Sequence, residues 1–278
     1  MTRNPSRARL FQSALLLGLS CAALHAQAPN PPRSTILIDP AHGGPDNGAR
    51  LAADLVEKDV NLALAQRLRS LLAERGFNVV FTREDDPPAQ ADGSRPPAVT
   101  TDQRAETANH AHPLACLLLH ATNGGHGVHL FTSSLIPLTM IDEPKAVLNW
   151  ETAQAGSIPQ SLRLVNELSS SFNSARLPLV VGRASIRPID SLTCPAILIE
   201  VAPLEGEGGA KTPVSDATYQ QNVAEAIANG LISWRSHAAP AEAAEKTVTP
   251  EKPAKPASPK PAPAKPAAPA KQEDGDKP

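Results

Sequence analysis

Two histidines and two glutamates in this chain have the side chains that metal-assisted hydrolysis needs: His42, His120, Glu57 and Glu200. Two imidazoles and one carboxylate make a three-ligand zinc site with a fourth position left for water. Such a site lowers the pKa of its water to about 7 and polarises a carbonyl oxygen. Amide hydrolysis also needs a base that takes the proton of the water and passes it to the leaving amine. A second carboxylate beside the metal meets that need, and Glu200 is the candidate. Singly, each residue has a plainer reading. A histidine at a strand end is usually a polar surface residue. Glu57 suits the first turn of a helix through the helix dipole, and Glu200 is the first polar residue after an apolar run. What makes the set informative is a common position in one topology.

That position follows from the elements. Residues 35–38 form a short apolar, β-branched run ended by Asp39-Pro40 and Gly43-Gly44, so a buried strand is predicted there, followed by a tight loop carrying His42. Val60, Leu62, Leu64, Leu68, Leu71 and Leu72 have helical spacing over 57–75, and Gly76 ends the helix. Strands are predicted at 78–82, 114–119, 127–132 and 195–199, and helices at 101–112 (Thr101 as N-cap), 161–172 and 219–234. Strands alternating with helices predict an α/β domain of three layers, α/β/α, around a mostly parallel twisted sheet. In such sheets ligands bind beyond the carboxyl ends of the strands. Parallel strands put His42, His120 and Glu200 on one rim, and the helix that opens at Glu57 starts on the same rim. His126 and His129 compete for it, His129 being expected to face solvent or a satisfied partner. His110 and His112 sit at a helix end, where cations are favoured anyway.

With these placements, the motifs resemble those of the zinc N-acetylmuramoyl-L-alanine amidases, the family typified by periplasmic cell-separation amidases. Ile36-Leu37-Ile38-Asp39-Pro40-Ala41-His42-Gly43-Gly44-Pro45-Asp46-Asn47-Gly48-Ala49 resembles the opening of that family, and Glu57-Lys58-Asp59-Val60-Asn61-Leu62 its second motif. Residues 77–83 look like the strand after it. Arg104 with Asn109, then Leu119-His120-Ala121, resembles the third motif, and Pro195-Ala196-Ile197-Leu198-Ile199-Glu200 the last. The resemblance runs over residues 36–234. It implies zinc held by His42, Glu57 and His120, Glu200 as the catalytic glutamate, and hydrolysis of the bond between N-acetylmuramic acid and L-alanine in peptidoglycan. Departures at Ala41, at Thr122 and over 201–206 fall on the substrate-contacting rim rather than on the metal or base positions. Arg187, before the last strand, is a candidate to hold a substrate carboxylate or the developing oxyanion; an exposed, structural arginine is the alternative.

The segment 133–160 is long for a connection, and some relatives carry a regulatory helix here that covers the zinc. Residues 144–155 are therefore expected to form a lid, with Glu143 or Glu151 approaching the metal and an activator protein releasing it. Two other readings compete with the amidase: a wall-binding module without activity, and a zinc peptidase acting within the stem peptide.

The rest of the chain fits an exported enzyme. Arg3, Arg7 and Arg9 precede a mostly apolar stretch over 10–24 and small residues at Ala26 and Ala28, the pattern of a secretory signal over residues 1–28. That stretch is too short for a stable membrane span, and Cys21 lacks the residue pattern of a lipoprotein signal. A domain over 34–236 is followed from residue 237 by a tail of Pro, Ala, Lys and Glu, expected to be disordered. Charged residues are 19% of the chain and the formal net charge is −2, a balance that does not point to nucleic acid or an anionic membrane as partner. The expected product is a monomer, periplasmic or secreted and associated with the cell wall, with Cys116 and Cys194 as two separate buried thiols.

Overall fold

The computed structural model describes residues 33–86, 91–94, 96–138 and 149–245. The expected signal segment 1–28, the expected tail beyond 245 and part of the expected lid lie outside these. A six-stranded sheet forms the middle layer, built from β1 (Thr35–Pro40), β4 (Asn78–Phe81), β5 (Ala115–Ala121), β6 (Val128–Ser133), β7 (Leu179–Ala184) and β8 (Ala196–Val201). Two short antiparallel pairs, β2 (Arg50–Ala52) with β3 (Leu55–Val56) and β9 (Leu204–Glu205) with β10 (Lys211–Thr212), stand outside it. The helices are α1 (Glu57–Glu74), α2 (Thr101–Ala111), α3 (Ile158–Ser174) and α4 (Ala217–Glu245). Strand order is β4-β1-β5-β8-β6-β7. Within this six-stranded sheet every pairing is parallel except that of β6 with β8.

Alternation along each strand sorts the side chains onto two cores. Ile36, Leu117, Leu119, Ile197, Ile199 and Leu130 pack on one face against α1, α3 and α4. Leu37, Cys116, Leu118 and Leu198 pack on the other against α2 and a short 3-10 helix, Ile189–Ser191. The buried face of α1 is Val60, Leu64, Ala65, Leu68 and Leu72, a helical spacing that presents one stripe to the sheet. The predicted architecture and the types of the predicted strands and helices are thus found; besides the short β2–β3 and β9–β10 pairs, which the sequence reading does not contain, two differences stand out. β7 has no counterpart among the sequence-predicted strands: as an edge strand it leaves Val180 and Val181 about half exposed, so its residues lack the alternation that marks a half-buried strand. The N-cap of α2 is Thr100 rather than Thr101. With Thr100 as cap, Gln103 completes the reciprocal capping box, its amide donating to Thr100 Oγ1 at 3.2 Å and its Oε1 accepting from Thr100 N at 2.9 Å. Arg104 would hold that place if Thr101 were the cap, and it is engaged elsewhere.

Cys116 and Cys194 form a disulfide, with Cα atoms 6.1 Å apart, which corrects the expectation of two separate thiols. Cys194 lies just before β8, and Cys116 N donates to Pro195 O at 2.8 Å. The parallel β5–β8 ladder therefore brings together two residues 78 positions apart. The compact unit extends to Ala238; Ala239–Pro278 is a second unit. α4 runs to Glu245, past residue 237 where composition places the start of the tail.

Candidate active site

β1, β5 and β8 are adjacent and parallel, so their carboxyl ends share one rim. His42 leaves that rim on the loop after β1, while His120 and Glu200 are the penultimate residues of β5 and β8. Glu57 opens α1 and reaches the same place. Its Oε2 lies 3.1 Å from His42 Nε2 and its Oε1 lies 2.8 Å from His120 Nδ1. Ligand atoms of His42, Glu57 and His120 all fall within 4.8 Å of one another. Bonds of about 2.0–2.2 Å from zinc to nitrogen and oxygen are compatible with donors this close. Two imidazoles and one carboxylate are also a donor set that suits such an ion, so the three residues fit it.

Each ligand candidate is fixed by neighbours. Glu57 is buried; its Oε2 accepts from Ala49 N at 2.9 Å and its Oε1 from Ala121 N at 3.3 Å. Burial pushes its carboxyl up, but hydrogen bonds from His120 and His42 and from the Ala49 amide outweigh this and hold it well below the usual carboxylate range. His42 adopts φ 65°, a left-handed conformation uncommon outside glycine. The surroundings over-determine that strain. Arg104, buried on α2, donates Nη2 to His42 O at 2.6 Å and Nη1 to Pro40 O at 3.1 Å and to Asp39. Arg83, also buried, donates to Pro40 O at 2.9 Å and to Lys58 O at 2.8 Å. Lys58 turns inward, with Nζ donating to Gly44 O at 2.7 Å and pairing with Asp86 at 2.6 Å. Gly48 passes so close that a Cβ would lie 2.6 Å from His42 Cδ2 and 2.7 Å from Glu57 Oε2.

Glu200 lies opposite His120 in the β5–β8 register and opposite His129 in the β6–β8 register. Cα partners in a ladder point to the same face, so the three side chains form a row. His129 Nδ1 is 2.7 Å from Glu200 Oε2. His129 thus has a satisfied partner, as expected, but the partner is the candidate base itself. Among the described residues it is not part of the metal-ligating group, and neither are His110, His112 and His126. His126 Nδ1 accepts from Glu205 N at 2.9 Å.

Arg187 is half exposed and forms ion pairs with Glu151 and, at 3.7 Å, Asp102. Glu151 therefore engages Arg187 rather than the candidate ligands His42, Glu57 and His120, contrary to the approach expected of a lid residue. The described end of the expected lid is a short 3-10 helix, Trp150–Gly156. It is anchored by buried Gln154, which donates to Leu192 O at 3.2 Å and Cys194 O at 2.9 Å. Residues 139–148, with Glu143, lie outside the described residues.

Sequence reasoning passed over the supports: Asp46, whose Oδ2 lies 2.8 Å from His42 Nδ1, Arg83, and the Lys58–Asp86 pair. Asp46 and Lys58 sit inside the motifs quoted above, so their signal was proximity to a ligand. Arg83 closes the quoted segment 77–83 and Asp86 lies beyond it, and neither is near a candidate ligand in sequence, because they meet the loop only in three dimensions.

Residues 36–233 match the family described as N-acetylmuramoyl-L-alanine amidase. The germination-specific N-acetylmuramoyl-L-alanine amidase of Bacillus subtilis is 29% identical over 210 residues, covering 72% of this chain and 78% of that protein. The N-acetylmuramoyl-L-alanine amidase AmiC of Escherichia coli is 27% identical over 234 residues, covering 73% of this chain and 53% of that one. Among solved structures, the catalytic domain of CwlV, an N-acetylmuramoyl-L-alanine amidase from Paenibacillus polymyxa, shares the fold with a TM-score of 0.53 at 22% identity, over 73% of this chain and 98% of that one. With a family match spanning nearly all of the α/β domain, the chain belongs to the N-acetylmuramoyl-L-alanine amidases and is a peptidoglycan hydrolase.

Proposed function

We propose that this amidase is a zinc enzyme in which His42, Glu57 and His120 hold the ion and Glu200 moves the proton. The bond cut is the amide between the lactyl group of N-acetylmuramic acid and L-alanine. The observation that carries the residue assignment is the convergence of three ligand atoms within 4.8 Å, with Glu200 the in-register neighbour of His120. When bound, zinc supplies an acidified water and Lewis-acid polarisation of the amide carbonyl. Glu200, with its side chain one-third exposed, accepts the proton of the attacking water. It returns that proton to the amino group of L-alanine as the carbon–nitrogen bond breaks. Asp46 and the buried arginines keep His42 in place throughout. Arg187 can hold a substrate carboxylate only by exchanging its pairs with Glu151 and Asp102 for that ligand.

Export to the periplasm or the cell exterior belongs to the same proposal. It is supported by the composition of residues 1–28 and by the Cys116–Cys194 disulfide, a bond that persists in oxidising compartments. Among the described residues no helix is long and apolar enough to cross a membrane. A lid over residues 144–155 and an activator that releases it remain part of the proposal, residues 144–148 lying outside the described residues. Gln154 and Ala155 are buried, so deleting 141–148 tests the lid more cleanly than deleting 144–155; unchanged turnover removes it from the account.

Digestion of purified peptidoglycan sacculi tests the main reading. Intact stem peptides, identified by mass, are the expected product of the zinc-loaded protein. Their release is abolished by a chelator and reduced roughly 10²–10⁴-fold in Glu200→Ala. Release of single amino acids would assign a peptidase instead; no release from loaded protein would leave a binding module or an enzyme held shut by its lid, two outcomes that the lid deletion separates.

A further inference from the structure

His129 takes no part in the hydrolysis set out above, yet it touches the group that moves the proton. The antiparallel pairing of β6 on β8 sets it opposite Glu200, with Nδ1 2.7 Å from Oε2. An ionised carboxylate only accepts hydrogen bonds, so this contact requires the Nδ1–H form of the ring. The ring is also clamped. Its side chain is 15% exposed where that of Glu200 is 32% exposed. Phe131 meets it near edge-on, with ring centroids 6.4 Å apart. Gly125, at φ 82°, lies so close that a Cβ there would stand 2.7 Å from Cε1 and 3.1 Å from Nε2 of the ring. The last torsion of a glutamate is broad and has two equivalent ends. A fixed donor on one oxygen removes that freedom.

We propose that His129 is the positioning residue of Glu200: by donating Nδ1–H to Oε2 it sets the carboxylate plane and leaves Oε1 to take and return the proton. The inference rests on the reading of Glu200 as the base. No covalent step is added; His129 keeps its proton through the cycle. His120 on β5 and His129 on β6 flank Glu200 in register, and Glu57 touches His120 from the start of α1.

The test compares wild type with Glu200→Ala, His129→Leu and His129→Asn. It measures kcat and KM across pH on a soluble muramyl peptide, after thermal melts have shown which variants fold. Leu fills the space without a donor, and the Asn amide donates from nearly the position of Nδ1. His129→Leu is expected to lower kcat roughly tenfold to hundredfold, with KM changed by less than about twofold; His129→Asn is expected to recover most of the loss. A second readout needs neither metal nor turnover. Nitrogen chemical shifts of histidine-labelled, metal-free protein should report His129 as the Nδ1–H tautomer, and that preference should relax in Glu200→Ala. If Glu200→Ala is inactive while His129→Leu turns over like wild type, the positioning inference is overturned and the base stands. If Glu200→Ala keeps its turnover, the base assignment falls and takes the inference with it. If His129→Leu does not fold, the tautomer decides: an Nε2–H ring in wild type overturns the proposal, and an Nδ1–H ring that relaxes without Glu200 upholds it.

Discussion

Asp46 Oδ2 accepts a hydrogen bond from His42 Nδ1 at 2.8 Å, across four residues of one loop. That contact selects the tautomer and turns Nε2 toward Glu57, 3.1 Å away. A carboxylate behind a ligating imidazole orients it and raises its basicity, and losing such a partner typically costs 10- to 100-fold in metal affinity. Asp46 is half exposed, so Asp46→Ala should fall near the tenfold end, and Asp46→Asn, which keeps an acceptor, should lose less. Zinc titration against a chromophoric chelator reads both. Equal affinity in all three proteins would show that the loop alone orients His42.

Gly48 occupies the other side of the same ligand pair. Any side chain there meets two obstacles: a φ of 63°, and a Cβ 2.6–2.9 Å from atoms of His42 and Glu57. Gly48→Ala should therefore displace one ligand or the other. The expected result is loss of bound zinc by elemental analysis with a circular dichroism spectrum like that of wild type. Stoichiometric zinc at wild-type affinity would mean that the loop yields without cost to the site.

The Lys58–Asp86 pair makes the loop sensitive to acid. Burial raises the Asp86 carboxyl, but the Lys58 ammonium and the Gly44 amide outweigh that and bring it below the usual aspartate range. A carboxyl depressed in the folded state contributes stability that is present above its unfolded pKa of about 3.9 and is lost as pH falls through the lower folded value. Urea melts of the metal-free protein at pH 7, 4 and 3 should show Asp86→Asn less stable than wild type at pH 7. Its stability should fall less steeply between pH 4 and 3. Parallel slopes for the two proteins would place the acid sensitivity elsewhere.

The disulfide closes a span of 78 residues. Chain-entropy reasoning gives a bond of that span about 4.5 kcal/mol, within a usual range of roughly 2–5 kcal/mol. Cys116→Ala with Cys194→Ala should lower the free energy of unfolding by that much. Turnover below the melting temperature should stay close to wild type, because the β5–β8 ladder that aligns His120 with Glu200 is made of backbone hydrogen bonds. Cys116 is fully buried and Cys194 nearly so, so reductant should reach the bond only when denaturant is present. A urea series with and without reductant separates these outcomes.

The amino-acid sequence by itself determined the helices α1–α4 and the sheet strands other than β7, and the set of candidate side chains that meet at one rim. Periodicity is local, so the strand of residues 35–38, the α1 stripe from Val60 to Leu72 and the apolar run before Glu200 are legible one window at a time. The rule that ligands gather beyond parallel strand ends then sufficed to group His42, Glu57, His120 and Glu200. The loop motif around His42 carried Asp46 and Gly48 as residue types without disclosing their contacts.

Tertiary structure alone decided what depends on register and on approach between distant segments. β6 could have paired in either direction; its antiparallel place beside β8 turns His129 from a rim bystander into the partner of Glu200. The β5–β8 ladder likewise converts two apparently independent cysteines into one bond. Arg83 and Arg104 become the scaffold of the His42 loop only because carbonyls of that loop converge on their buried guanidinium groups. The physical reason is common to all three. Local pattern sets which face of an element is apolar, whereas the hydrogen-bond register between elements is chosen by the packing of the whole sheet, and it is register that brings one polar side chain opposite another.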